Sequence, residues 1–409
     1  MKPLDGLKVL DLTWVVAGPV VTRALSDFGA TVVRLESSKR IDAARLIKPF
    51  IGGTFSTENS ALYSTWNAGK LGITVNLQEE EGRQIVLDLA KWADVVLESF
   101  SPGAMAKWGL GYDVLSQGRE DLIMVSSAIY GQTGPVSRLA GYGNVGAALS
   151  GFQQIVGVAD RLPFGPFGPY TDFVAPRMAL TLLLAAIDNR DRTGKGCYID
   201  VAQVEAGAFF QSPELAAHFS EGFVAERMGN EDREFAPHGV YRAKDEIQNG
   251  HAIERYVAIA VTSDEQWQRL AAWLGRGDLS NDDELRDVSG RQGRRTEIDA
   301  AIEKVASTRV AGDIEIELQQ LGIPAHVSAN SADFCNDPQL EHRDHLVTLP
   351  HELFGSVVVE GPRYKLSATP GGPERAAPTL GQDNKQVLTE IAGYDEQRIQ
   401  DLEERGVLK

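Results

Sequence analysis

The sequence predicts an α/β protein: a large domain on a parallel sheet, then a smaller domain of mixed strands and helices, then a long C-terminal arm. Three observations carry this. Short apolar runs alternate with stretches of helical period through the N-terminal half. The first two strands are joined by a helix, and a right-handed crossover of that kind makes them parallel neighbours. At Glu221 the composition turns polar, with charges of both signs close together, and a second set of strands and helices follows.

The elements follow in order. Lys8 to Thr13 is a short apolar strand. Gly18-Pro19 opens a helix that runs to Phe28 and stops at Gly29, with proline in the first turn and glycine at the end. Thr31 to Leu35 is the second strand. Ile73 to Leu77, Asp94 to Leu97 and Leu122 to Ser127 are further strands, separated by a helix over Glu79 to Trp92 and a short one over Pro102 to Trp108. Gly141 to Val156 and Val174 to Ile187 read as helices. The Gly- and Pro-rich stretch Gly157 to Tyr170 between them is a loop. Cys197 to Val201 is a strand and Gln203 to Phe219 a helix. In the second domain Tyr256 to Val261 is a strand. Asp264 to Leu274 is a helix capped by Ser263, Arg295 to Ser307 and Ala311 to Leu321 are helices, and Pro324 to Val327 is a strand. Leu346 to Pro350 and Ser356 to Val359 are β segments of the arm, and Asn384 to Ile391 is its helix. The expected boundaries are 1–220 for the large domain, 221–330 for linker and small domain, and 331–409 for an arm returning to the large domain or docking on a second subunit.

The chain has 409 residues, a 43% hydrophobic content and a formal net charge of −17. That charge excludes nucleic acid as a general partner, because a phosphate backbone needs a basic surface. It leaves room for a small anion held by a local basic patch and a helix N-terminus. No apolar run is long enough to cross a bilayer, so no membrane is expected. No signal peptide is read at the N-terminus. Cys197 and Cys335 fit no metal or redox spacing; no metal site is expected, and reduced thiols suit a cytoplasmic protein.

Several loops invite chemistry. Tyr170-Thr171-Asp172-Phe173 sets a lone carboxylate where a Gly/Pro loop meets an apolar helix. Asp172 is either a cap of the helix beginning near Pro176 or a nucleophile for a carbonyl carbon. Val16-Ala17-Gly18-Pro19 joins the first strand to the first helix and offers free N–H groups to an anion, without the three-glycine spacing of a dinucleotide site. Lys70, in Asn67-Ala68-Gly69-Lys70, is either a phosphate partner or a solvated loop lysine. Ser99 and Phe100 lie at the carboxyl end of a strand, where ligands bind in open α/β sheets. Phe100 suits stacking on a flat ring, and Lys107 suits an anion. Seven histidines are present and none precedes His218, so the N-terminal domain has no imidazole base. His238 is the one nearest a loop facing a cleft.

Together these segments resemble the family III CoA transferases, the group of formyl-CoA transferase and carnitine CoA-transferase. The resemblance rests on Pro3 to Asp11, Asp27-Phe28-Gly29-Ala30, Pro102 to Asp113, Tyr130 to Pro135, Arg192 to Gly196 and Pro378 to Gln382, in this order over nearly the whole chain. It implies a Rossmann-like large domain, a small domain, and two subunits threaded through each other as an interlocked dimer. It implies coenzyme A, carried as an acyl-CoA substrate with no tightly bound cofactor, and a carboxylic acid as the other substrate. It implies Asp172 as the nucleophile. Val16 and Ala17 match the turn that meets CoA, and Lys70 the loop that contacts the nucleotide. Ser99 and Phe100 match the adenine side, Lys107 the phosphate side, and Tyr142 with Gly143 the segment near the pantetheine.

The chain also departs from the formyl-CoA transferases. Val16 stands where they carry Gln, Ser37 where they carry Arg, and Ser99 where they carry Asn. The glycine run that folds over their active site is missing between Gln211 and Tyr256. Oxalate and formate are therefore not the expected substrates. Succinyl-CoA is the expected donor and a dicarboxylic or aromatic acid the expected acceptor, with Arg40, Arg45 or Arg138 as the replacement cation. An α-methylacyl-CoA racemase would share the fold but needs a histidine ahead of the aspartate, which this chain lacks. One subunit of a two-chain transferase is the other alternative, with this chain carrying the nucleophile. A nicotinamide-dependent oxidoreductase is disfavoured by the absent glycine fingerprint.

Overall fold

Six apolar runs form six parallel strands: β1 Lys8–Leu12, β2 Thr31–Glu36, β3 Leu71–Thr74, β4 Val95–Glu98, β5 Ile123–Ala128 and β6 Tyr198–Ala202. The computed structural model describes residues 1–409. It divides into a large unit (Met1–Gln154, Gly165–Val224, Pro338–Lys409) and a small one (Ile155–Phe164, Ala225–Asp337). In the large unit the strands lie in the order β3-β2-β1-β4-β5-β6, with β1 in register with β2 and β4 through Val9, Leu10 and Asp11. Alternation along each strand sends side chains to both faces. Leu10, Leu12, Val33, Leu35 and Val96 pack on one side against the helix Glu80–Trp92 and the C-terminal helices. Val9, Val32, Val95, Ile123 and Val125 pack on the other against the helices Ala17–Asp27 and Thr171–Thr193. A parallel sheet buried on both faces is what continuous apolar strands require.

The C-terminal arm caps the open edge of this sheet. Gly72 N donates to Asp383 Oδ2 (2.7 Å) and Thr74 N to Asn384 Oδ1 (2.8 Å), while Asn76 N reaches the Val407 carbonyl. Two side chains thus satisfy edge donors of β3 that a bare strand would offer to another chain. The small unit has its own core around Trp267, under an antiparallel sheet of β7 His238–Arg242, β10 Tyr256–Ala260 and β11 Ala325–Val327. Two further hairpins are β8 Glu246–Gln248 with β9 His251–Ile253, and β12 Leu346–His351 with β13 Gly355–Glu360.

Where the structure differs from the sequence reading, proline and glycine explain most of it. The helix expected over Gln203 to Phe219 is two, Gln203–Phe209 and Ser212–Glu221, because Pro213 cannot donate back to Phe209. The one expected over Gly141 to Val156 is broken at Gly151, whose φ is 95°. The long helix begins at Thr171 rather than near Pro176, and Pro176 sits inside it. The helices Ala61–Asn67 and Glu396–Glu404, capped by Ser60 and Asp395, and the strand β7 are not among the elements expected from the sequence.

Candidate active site

Strand order reverses between β1 and β4, so the loops at their carboxyl ends diverge and leave a crevice. A cavity of about 450 Å³ occupies it. Its walls are Trp14–Ala17 after β1, Ser99–Pro102 after β4, Ser127–Ile129 at the end of β5, the segment Arg138–Tyr142, and the side chains of Asp172 and Gln203. The loops are tied across the crevice. Trp14 N after β1 donates to Ser99 Oγ after β4 (3.1 Å), and within the β4 loop Phe100 N donates to Glu98 Oε2 (2.7 Å). Glu98 is itself buried, and burial, with Asp200 adding to it, pushes its carboxyl up to about 7.

Asp172 is the second residue of the helix Thr171–Thr193 and makes no capping bond. The cap reading is thereby set aside: the carboxylate turns away from its own helix and accepts from Gly143 N at 3.1 Å, while the side chain of Gln203 also hydrogen-bonds it. It is only 5% exposed and no cation pairs with it. Burial raises its pKa from 3.8 to about 6, against the pull of the Gly143 and Gln203 bonds. The positive end of the helix dipole offsets part of the cost of charging it. A Cβ on residue 143 would fall 2.7 Å from Asp172 Cγ and 2.6 Å from Asp172 N, so this approach needs glycine.

Charge at the cavity comes from two arginines. Arg40 and Arg138 both line it, both are exposed, and neither pairs with a carboxylate. The Arg40 guanidinium lies 5.6 Å from the Trp14 ring centroid. The Trp14 indole N–H is buried and has no partner in the protein.

The sequence model of CoA-transferase family III matches residues 4–384. The chain belongs to CoA-transferase family III. It is 32% identical over 414 residues to the succinyl-CoA–L-malate CoA-transferase beta subunit of Chloroflexus aurantiacus, covering 99% of this chain and 98% of that one. It is 30% identical over 413 residues to the succinyl-CoA:glutarate CoA-transferase of Mus musculus, covering 100% and 91%. Among solved structures, a CAIB/BAIF family protein from Brucella suis superposes with a TM-score of 0.86 at 30% identity, covering 95% of this chain and 99% of that one.

In this family III transferase, Val16, Ala17, Ser99, Phe100 and Tyr142 all line the cavity, and Gly143 lies behind it as the donor to Asp172. Phe100 does so with its ring held edge-on by Trp14 (5.9 Å) and Trp108 (5.1 Å). Lys70 and Lys107 do not line it. Lys107 is exposed on the short helix Ala104–Lys107. Lys70 is fully buried, and its ammonium is taken up by Asp11 Oδ2 (3.0 Å), Asn67 Oδ1 (2.8 Å) and the Pro19 carbonyl (3.1 Å). Three acceptors satisfy its three donors, so nothing remains for a nucleotide. Burial brings Lys70 down to about 8, only partly opposed by Asp11. Arg45 is also withdrawn from the site, buried against Glu36, Glu58 and Tyr63. His238 belongs to the small unit, where its Nδ1 lies 2.7 Å from the Asn230 carbonyl. Trp14 and Gln203 are the site residues that sequence reasoning missed.

Proposed function

We propose that this enzyme moves CoA from succinyl-CoA to a second carboxylic acid, a dicarboxylic one, with Asp172 as the carrier. The observation that carries the reading is a nearly water-free, unpaired carboxylate opening onto a cavity at the switch point of the sheet. Burial leaves Asp172 ionised at neutral pH yet more basic than an ordinary aspartate, which suits a nucleophile. Its carboxylate attacks the thioester carbon of the donor; the C–S bond breaks and CoA leaves as thiolate, giving a mixed anhydride. The thiolate then attacks the Asp172 carboxyl carbon; the anhydride C–O bond breaks and the donor acid leaves as its carboxylate. An aspartyl-CoA thioester remains, and the acceptor carboxylate runs the two steps in reverse. No redox or metal chemistry is needed, and exclusion of water protects both intermediates.

Arg40 and Arg138 are the cations available for the CoA phosphates and for the far carboxylate of a dicarboxylic substrate. Both relatives named above carry succinyl-CoA in their names, and both pair it with a dicarboxylic acid. CoA is held as substrate, with Val16, Ala17, Ser99, Phe100, Tyr142 and Gly143 around it. The cytoplasm is the proposed location, and an interlocked homodimer, or a pair with a homologous subunit, the proposed assembly. The test is capture. Hydroxylamine inactivates the enzyme after succinyl-CoA is added and not before, and Asp172→Ala abolishes transfer while CoA still binds. Full activity of that variant, or inactivation without acyl-CoA, overturns the reading.

A further inference from the structure

Asp172 is held from two directions by donors on separate elements. Gly143 N, at the start of the helix Gly143–Leu149, donates to Oδ2, and Gln203, the first residue of the helix Gln203–Phe209, reaches the same carboxylate with its side chain. Gln203 is 7% exposed and forms part of the cavity wall. The carboxylate's charge decides which end of the Gln203 amide faces Asp172, and Thr171 is placed to hold that orientation. Thr171 Oγ1 lies 3.1 Å from Gln203 Oε1 and 3.0 Å from the Gly143 carbonyl, and its one proton is shared between these acceptors. With Oε1 turned to Thr171, the Nε2 donor is turned to Asp172; the flipped amide would set a carbonyl against a carboxylate. Gly143, Thr171 and Gln203 thus close a ring around the reactive group.

Two donors on a resting carboxylate weaken it as a nucleophile, since they stabilise the charge it must give up. Their benefit falls at another step. In the mixed anhydride the Asp172 carbonyl oxygen is neutral. When the CoA sulfur bonds to Cγ, the carbonyl π pair moves onto that oxygen and a full negative charge develops there. Re-forming the carbonyl breaks the bond to the bridging oxygen and expels the donor carboxylate; no proton moves. On the reading that Asp172 is the carrier, we propose that the Gly143 N–H and the Gln203 amide form the oxyanion hole for the carrier's own carboxyl carbon, which makes Gln203 a catalytic residue. The donors are fixed before reaction by backbone and by Thr171, so little reorganisation is needed as charge appears.

The test replaces the donor and keeps the shape: Gln203→Met, with Asp172→Ala beside it. Loss of one oxyanion donor lowers rates by roughly 10²–10³-fold. The expected result is a kcat reduced on that scale, a KM for succinyl-CoA within about twofold of wild type, and, in rapid-quench mass spectrometry, build-up of the donor-acyl adduct on Asp172 at the expense of the CoA adduct. A merely structural role would raise KM and slow both adducts alike, which overturns the assignment. Should Gln203→Met fail to fold, Thr171→Val removes the anchor of the amide; a fall in kcat with the same shift between adducts supports the proposal, and wild-type kcat sinks it. The two readings fail separately. Transfer by Asp172→Ala removes the carrier itself, whereas a dead Asp172→Ala beside a fully active Gln203→Met removes only the oxyanion role.

Discussion

Replacing Asp172 by Asn should abolish transfer and make the protein more stable at neutral pH. The carboxyl titrates at about 6 in the fold against 3.8 in an unfolded chain, a difference of about two units. At about 1.4 kcal/mol per unit, holding Asp172 ionised costs the fold roughly 3 kcal/mol. The sign follows from proton linkage. A group with a raised folded pKa contributes stability below its unfolded value, and that contribution is lost as pH rises through the folded value. The asparagine keeps the shape without the charge, so its advantage is full above pH 6, shrinks between 6 and 3.8, and vanishes below. Thermal unfolding of both proteins across pH 4 to 8 measures this, with an expected gain of several degrees at the alkaline end. An asparagine variant that is no more stable than wild type at pH 8, or a gain that ignores pH, refutes the claim that Asp172 is an unpaired buried charge.

Other outcomes follow from the same geometry. The acid limb of kcat/KM should fall tenfold per pH unit below an apparent pKa near 6, because only the ionised Asp172 attacks; a limb near 4, measured by steady-state rates, would contradict the burial argument. Lys70→Met should destabilise the fold by about 3 kcal/mol, since it takes from buried Asp11 its nearer cation and leaves only Arg34 at 4.0 Å. Calorimetry measures that loss, and the folded fraction should keep the KM for acyl-CoA. Arg138→Ala should raise that KM or the KM of the acceptor acid at least several-fold with little change in melting temperature, whereas Arg45→Ala, which strips a buried partner from Glu36, should lower the melting temperature first.

The sheet was legible because its signal is local and repeated: each strand is a short apolar run beside a helix of period 3.6, and parallel pairing follows from the crossovers. The place of Asp172, the proposed nucleophile, at a loop–helix junction was legible, though the orientation of its carboxylate was not, since the bond that turns it comes from Gly143, 29 residues away. Lys70 was misread for the same reason. Asn67-Ala68-Gly69-Lys70 resembles an anion loop in isolation, and the carboxylate that claims the ammonium is Asp11, 59 residues earlier. Gln203 had a usable signal. It directly follows β6, and the rule that drew attention to Ser99 and Phe100 after β4, that ligands sit at the carboxyl ends of strands, applies equally to the end of β6.

The buried charges beneath the cavity make most sense as a positioning device. Asp11, Arg34, Asp42 and Lys70 are all fully buried. Desolvating each ion costs several kcal/mol, and an apolar cluster of the same volume would hold the fold as well or better. What an apolar cluster lacks is directed bonds to backbone. Arg34 Nη1 donates to the Thr13 carbonyl at 2.7 Å, Asp11 Oδ1 accepts from Thr13 N at 2.9 Å, and Asp42 accepts from Val15 N at 3.0 Å; Arg34 and Asp42 pair directly. Each of these bonds lands on the loop between β1 and its helix. Val15 in that loop has φ of 65°, a left-handed conformation that a β-branched residue adopts only at a cost of order 1–3 kcal/mol. The ion network supplies what holds it there. The strained turn in turn sets Trp14, Val16 and Ala17 as one wall of the cavity whose opposite side carries Asp172 and Gln203. Stability is given up twice, in the ions and in the turn, for a wall held in one geometry beside Asp172.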